Sequence, residues 1–224
     1  MDIEILYEDK DIIACVKPVN VLSQADDNKR TNMIDILSEE RGEIYPLHRL
    51  DKNVGGVMVY AKNKLAAAKL STDIQNHKFD KYYMAVVHGE PENNATYKDL
   101  LFKDSKKNKS YVVKRMRKGV KEASLEFVKI ATLTKDDNPG KISLVRIKLH
   151  TGRTHQIRVQ FSSRKMPLLG DRRYGSDYNE CEIALWSYRI ELVHPSSDKK
   201  MVFEKEIENV CPFDFFNTIE AIPT

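Results

Sequence analysis

Apolar positions along this chain fall mostly into short runs with the period of a strand, broken by a few stretches with the period of a helix. Ile3 to Tyr7 and Ile12 to Lys17 flank the turn Glu8-Asp9-Lys10-Asp11, which predicts a hairpin. Pro18 closes its second strand, because proline has no N–H to give a ladder. Ser23 to Arg30 is polar and loop-like, and Thr31 then offers N-cap chemistry to a helix through Met33, Ile34, Ile36 and Leu37, stopped near Gly42. Behind Gly55 and Gly56, Val57, Val59 and Ala61 alternate with Met58, Tyr60 and Lys62, the pattern of a strand. Asn63 is the expected N-cap of a helix from Lys64 to His77, with Leu65, Ala66, Leu70 and Ile74 on its buried face.

Tyr82 to His88 returns to a strand, ended by Gly89 and Pro91. Further strands are expected at Ala123 to Ala131 and Ile142 to Leu149, joined by the turn Asp136-Asp137-Asn138-Pro139-Gly140. Arg153 to Arg164 reads as a helix ended by Pro167, and Ile183 to Val193 and Met201 to Glu206 as the last strands. No repeat, low-complexity segment or linker interrupts the chain, so one domain is expected over residues 1–224. Strands interleaved with a few helices predict an α+β fold with a mixed or antiparallel sheet.

Composition narrows the class only a little. With 224 residues, 41% hydrophobic and 31% charged, the chain has ample material for a core, and its net charge of +4 argues only weakly for a nucleic acid. The distribution of charge says more. Lys103 to Lys121 carries nine Lys or Arg residues against one acid, Asp104, around a central Tyr111-Val112-Val113 that suits a strand. Such a run is either a solvated hairpin or a patch facing phosphate, with Lys106, Lys107 and Lys109 at its tip. No apolar run approaches a membrane span, and the acidic start Met1-Asp2-Ile3-Glu4 is unlike a secretory signal. Cys15, Cys181 and Cys211 are odd in number and widely spaced, which points to reduced thiols in a cytoplasmic protein.

Two stretches concentrate polar chemistry. In Leu47 to Lys62, Asp51 stands two residues after Arg49, on a loop that leads into a strand and can present it to a ligand. Taken alone, Asp51 is an ordinary turn aspartate. In Thr151 to Arg158, Thr154 and Arg158 share a helix face at i and i+4, and the cluster could be a basic helix start that binds phosphate. His150 and His155 fit no common zinc spacing, so no metal is expected. Neither a phosphate-cradling loop nor a dinucleotide fingerprint is present, and nothing marks a nucleophilic Cys or Ser.

Taken together, these residues resemble the RluA-like family of RNA pseudouridine synthases over nearly the whole chain. His48-Arg49-Leu50-Asp51 followed by Gly56 matches the family's catalytic-aspartate motif, and Lys81 to Gly89 its Lys-x-Tyr-x-Ala-x-Val-x-Gly strand, with Tyr83 on the active-site tyrosine. Leu149 to Val159 resembles its third motif, in which Arg158 takes the place of the arginine paired with the aspartate. Gly170 to Gly175, and Leu185 with His194-Pro195, match later landmarks. The resemblance implies a pseudouridine-synthase-type domain, a largely antiparallel mixed sheet flanked by helices and loops around a central cleft. It also implies an isomerase acting on one uridine of ribosomal or transfer RNA.

In that reading Asp51 is the reacting carboxylate, Tyr83 stacks on the base, Arg49 holds the space the flipped base leaves, and Leu185 lines the pocket. His48, Arg153 and His155 are expected RNA contacts along with Lys106, Lys107 and Lys109. An arginine roughly 4 Å from the aspartate would supply about 4 kcal/mol of attraction at an effective dielectric of 20, offsetting part of the cost of burying the charge. No cofactor, DNA or membrane partner is expected, and a monomer is. Many relatives carry a small RNA-binding domain in front; this chain is expected to begin at the catalytic domain and to recognise RNA through it. There are departures: Val54-Gly55 stands where relatives usually have Thr-Ser or Thr-Thr, and Trp186 replaces a usual histidine. A catalytically silent RNA-binding or ribosome-assembly protein on the same fold is the alternative. A glycoside hydrolase fits less well, since that chemistry usually needs two carboxylates.

Overall fold

In the computed structural model of the chain, which describes residues 1–26, 30–207 and 210–217, the elements follow the expected order with some shifts. They begin with β1 (Ile5–Glu8), β2 (Ile12–Lys17), α1 (Met33–Arg41), β3 (Tyr45–Pro46), β4 (Gly55–Ala61) and α2 (Lys64–Gln75). Next come β5 (Phe79–His88), β6 (Asn94–Asp104), β7 (Lys109–Val113), β8 (Val120–Thr134) and β9 (Lys141–Leu149). The chain continues through α3 (Gln156–Ser162), a 3-10 turn at Arg172–Tyr174, β10 (Leu185–Val193) and β11 (Lys200–Glu204). The chain divides into two units: Met1–Tyr82 with Trp186–Glu206, and Tyr83–Leu185 with the described residues after Glu206. Among the described residues no helix is long and apolar enough to cross a membrane.

In the first unit, β2 pairs antiparallel with both β1 and β4, while β4 pairs parallel with β10, so the sheet is mixed. Strand β4 is buried along its whole length, because the period-two pattern sorts its side chains onto two covered faces. Val57 and Val59 join Ile12, Ala14, Leu70, Phe79 and Ile190 in one cluster, while Tyr60 donates its hydroxyl to the Ser23 carbonyl at 3.0 Å. The cap of α1 is Asn32 rather than Thr31. Its side chain accepts from the Asp35 N–H at 3.1 Å and donates to the Asp35 carboxylate at 2.7 Å, a reciprocal cap that Thr31 stands one residue too early to make. Asn63 caps α2 as expected, accepting from the Ala66 N–H at 2.9 Å. The helix buries Ala66, Leu70 and Asp73, and Leu65 is 85% exposed, since it lies about 100° around the helix from Ala66.

The second unit is built on antiparallel β9-β8-β6-β7, with β5 next to β9. Tyr97, Phe127 and Phe161 form an aromatic triangle at its centre, with ring centroids 5.0 to 5.3 Å apart. Strand β6 was not expected. Only Tyr97 and Leu101 are buried along it, a spacing that hides the strand period behind charged neighbours. The basic stretch is accordingly the end of β6, a turn, β7, a second turn and the start of β8, with Tyr111 to Val113 in a strand as expected. Helix α3 begins three residues later than expected. Gln156 turns back to accept from the Arg153 N–H at 3.0 Å and from the Thr151 hydroxyl at 2.7 Å, which holds residues 151–155 in a turn.

Candidate active site

Asp51 lies half-buried on a loop between β3 and β4 whose backbone is held at each end. Ser23 bonds both polar groups of Leu50, donating to its carbonyl at 2.9 Å and accepting from its N–H at 3.0 Å. The Val54 N–H returns to the Asp51 carbonyl at 3.0 Å and closes the turn. On the other side, the fully buried Lys17 gives its three ammonium hydrogens to the carbonyls of Pro18 (2.8 Å), Val21 (2.7 Å) and Lys52 (3.2 Å). Only a protonated amine satisfies three acceptors at once. Burial pushes its pKa down to about 7, and the nearby Asp51 carboxylate acts in the opposite direction. Lys17 and Ser23 are the site's support that sequence reasoning missed. The available signal was a lysine closing an otherwise apolar strand directly before a proline.

His48 lies under the same loop. Its Nε2 accepts from the Val59 N–H at 3.2 Å and its ring packs on Phe79, with centroids 5.5 Å apart. Burial, helped by Lys81, lowers its pKa to about 3, so the ring is neutral at ordinary pH with its proton on Nδ1. Arg49 is exposed. The two departures from the family pattern, Gly55 and Trp186, prove to be neighbours in the parallel register of β4 and β10. A Cβ at Gly55 would stand 2.5 Å from Cζ3 of the Trp186 indole, whose Nε1 donates to the Lys205 carbonyl at 3.1 Å. One departure makes room for the other. Gly56, at φ 118°, is required for two reasons: the left-handed backbone, and the Ser187 backbone on which any side chain would land.

In the second unit, Tyr83 is buried on β5 and Leu185 is buried at the start of β10. Arg158, on α3, is 5% exposed and grips Asp171 with both arms of its guanidinium, Nε to Oδ2 at 2.6 Å and Nη2 to Oδ1 at 2.9 Å. Its Cζ stands 5.1 Å from the centroid of the Tyr174 ring. The fork of bonds fixes both position and plane of the guanidinium, which a lysine could not do. Asp171 was legible only as a landmark, and its partner is a finding of the structure. Arg153 donates through Nε to the Glu122 carbonyl at 2.8 Å, and His155, at φ 53°, brings Nδ1 to 3.0 Å from the Tyr174 hydroxyl. Lys106 and Lys107 are exposed, whereas Lys109 turns inward and donates to the Arg173 carbonyl at 2.6 Å.

Asp9, Asp11 and His194 bring three potential metal-ligand atoms within 4.8 Å of one another. Their bonding describes a structural tie. Asp9 accepts from the N–H groups of Asp11 and Ile12 at 2.8 and 2.9 Å and from His194 Nε2 at 2.8 Å. Nδ1 of His194 faces the Ser197 N–H at 3.2 Å, which leaves the proton on Nε2 to be donated to Asp9. Against burial, these bonds hold the Asp9 carboxyl below its ordinary range. The His194-Pro195 landmark therefore anchors the end of β10 to the first hairpin.

The mixed α+β fold is one shared with enzymes that isomerise uridine in RNA. The chain belongs to the RNA pseudouridylate synthase family, whose profile matches residues 11–163. It is an RNA pseudouridine synthase, an isomerase. It is 35% identical over 91% of its length to a protein of Aquifex aeolicus (strain VF5) named as an uncharacterized RNA pseudouridine synthase, covering 69% of that protein. It is 25% identical to the tRNA pseudouridine synthase C of Vibrio parahaemolyticus, over 93% of this chain and 92% of that one. With the ribosomal large subunit pseudouridine synthase D of Borreliella burgdorferi it shares 30% identity over 90% of its length and 65% of the other's. The fold is that of human RNA pseudouridylate synthase domain containing 1, with a TM-score of 0.73 at 20% identity over 93% of this chain and 85% of that one.

Proposed function

We propose that the protein isomerises a specific uridine of a structured ribosomal or transfer RNA, with Asp51 as the reacting carboxylate. The bond from ribose to the ring nitrogen breaks, the base rotates, and a new bond joins ribose to a ring carbon. That carbon gives up its proton while the nitrogen gains one, so the product is an isomer and no electrons are exchanged. A uridine inside a structured RNA must first leave its stack, at a cost of a few kcal/mol. Stacking on Tyr83 would return about 1–3 kcal/mol of that. Arg158 supplies the positive charge of the site, Arg49 fills the place of the departed base, and Leu185 lines the pocket. His48 supports the loop, and Arg153, His155, Lys106 and Lys107 face the RNA.

The observation that carries this reading is the double anchoring of the Asp51 loop by Lys17 and Ser23, which presents one carboxylate in a fixed place. A silent RNA-binding protein would have no use for it. The names of the relatives that act on transfer and large-subunit ribosomal RNA support the substrate class.

Mapping pseudouridine across total RNA from cells with and without the gene identifies the target. Restoring the gene as Asp51→Asn is expected to leave that uridine unmodified, with RNA affinity within about threefold of wild type because one neutral isostere replaces the carboxylate. Modification at the wild-type level in that strain would overturn the assignment of Asp51.

A further inference from the structure

Tyr174 stands where the basic hairpin, the turn before α3 and Arg158 meet. It is buried, and each part of it has its own partners. The hydroxyl accepts from the Ser110 N–H at 2.8 Å and lies 3.0 Å from His155 Nδ1. One face of the ring carries the Lys109 ammonium, with Nζ 5.0 Å from the centroid, and the ring also contacts the Arg158 guanidinium at 5.1 Å. A ring whose quadrupole holds two cations in a buried place is an electrostatic anchor as well as a filler of space.

Around this centre the hairpin is fastened at further points. The Ser110 hydroxyl donates to the Thr154 carbonyl at 2.6 Å, next to His155. Arg173 Nη1 donates to the carbonyls of Lys107 and Asn108, at 3.2 and 2.9 Å, gripping the hairpin's turn from below. Lys109 completes the circuit by donating to the Arg173 carbonyl at 2.6 Å. Lys106 and Lys107 of that turn are exposed, so the exposed charge and the buried arginine are attached to one tyrosine.

We propose that Tyr174 is a positioning residue that couples the hairpin to Arg158, so that contact of RNA phosphates with Lys106 and Lys107 and placement of the Arg158 guanidinium are one event. The hydroxyl sets how well RNA is held, through β7, and the ring sets how well the bound RNA is turned over, through Arg158. This rests on the reading of Arg158 as part of the active site. A free basic arm would add affinity without regard to the chemistry; a docked one lets only an RNA that fits the hairpin meet a correctly placed arginine.

Two variants separate the two parts, with bulk RNA from cells lacking the gene as the probe. Tyr174→Phe keeps the ring and removes the hydroxyl. It is expected to raise the apparent KM and the dissociation constant by about tenfold, the factor carried by one or two hydrogen bonds, with kcat within about twofold. Tyr174→Leu removes the ring as well and is expected to lower kcat by about tenfold more, within the range of a desolvated cation–π contact.

The distinguishing readout is a double-mutant cycle. Lys106→Gln with Lys107→Gln should weaken RNA binding and its salt dependence markedly in the wild type and much less in Tyr174→Phe. Additive losses, an unchanged KM in Tyr174→Phe, or a fall in melting temperature with unaltered kinetics of the folded protein would each overturn the proposal. The binding arm needs no turnover. A wild-type chain that binds bulk RNA but forms no pseudouridine would overturn the proposed function, and the cycle would still decide the coupling.

Discussion

The loop that carries Asp51 and the hairpin that carries Lys106 and Lys107 are each held by a lysine, in opposite surroundings. Lys17 is wholly buried and spends its three ammonium hydrogens on three backbone carbonyls, that of Lys52 in the Asp51 loop among them. Lys109 is half-buried, lies over the rings of Tyr111 and Tyr174 and donates to the Arg173 carbonyl. Three directed bonds in a dry setting fix a position to a few tenths of an ångström, while a cation over a ring tolerates sliding and tilting. The role proposed for Asp51, that of the reacting group, needs the first kind of support. The role proposed for the hairpin, contact with the irregular phosphate backbone of an RNA, is better served by the second.

The comparison can be tested at the buried charges of both units, beginning with the largest expected effect. Asp171→Asn leaves Arg158 without its bidentate partner in a buried place and should cost about 3–5 kcal/mol of unfolding free energy, measured in denaturant. A loss below about 1 kcal/mol would mean the pair behaves like a surface ion pair. Lys17→Met strips donors from the Pro18 and Val21 carbonyls, while the Lys52 carbonyl keeps the Asn20 N–H at 2.8 Å. A cost of about 2–4 kcal/mol is expected, from one to two buried acceptors left unmade.

Lys17 also predicts a pH dependence whose sign is fixed. Its folded value of about 7 lies below the ordinary 10.5, so between those two values the unfolded chain binds more protons. The contribution of this group to stability therefore rises as pH rises through that window and is lost as pH falls through about 7. In Lys17→Met that part of the rise should vanish, and a stability profile identical to wild type would contradict it.

The smallest of these effects concerns the Gly55–Trp186 contact. Gly55→Ser alone forces the indole aside and should cost about 1–3 kcal/mol, the usual cost of overpacking. Adding Trp186→His should recover most of that loss, because the smaller imidazole leaves free the space that a side chain at position 55 would enter. Additive losses in the double variant would show that the two departures arose without reference to each other.

Much of this was legible in the sequence because it depends on local chemistry. Asn63 caps α2 where its side chain and the following helical period said it would, and the alternation from Val57 to Ala61 marked β4. The motif residues Asp51, Tyr83 and Arg158 stood out by their company. What stayed hidden depends on contacts distant in sequence. The partners of Lys17 include Lys52, 35 positions away, and a lysine closing an apolar strand before a proline does not say which carbonyls it will meet. The role of Tyr174 depends on Ser110, 64 positions away. Strand β6 was obscured for another reason: it lies partly exposed between β7 and β8, so polar and charged residues are scattered along it and only Tyr97 and Leu101 are buried, which hides its period.

Trp186 is the only tryptophan in the chain, and it rests on the backbone beside the loop that presents Asp51. Excitation beyond the tyrosine band therefore selects one indole at that spot. Its emission wavelength and quenching by iodide report on the start of β4 directly behind that loop and on the Lys205 carbonyl it bonds, so a loosened loop in a variant can be followed in the unlabelled protein in real time.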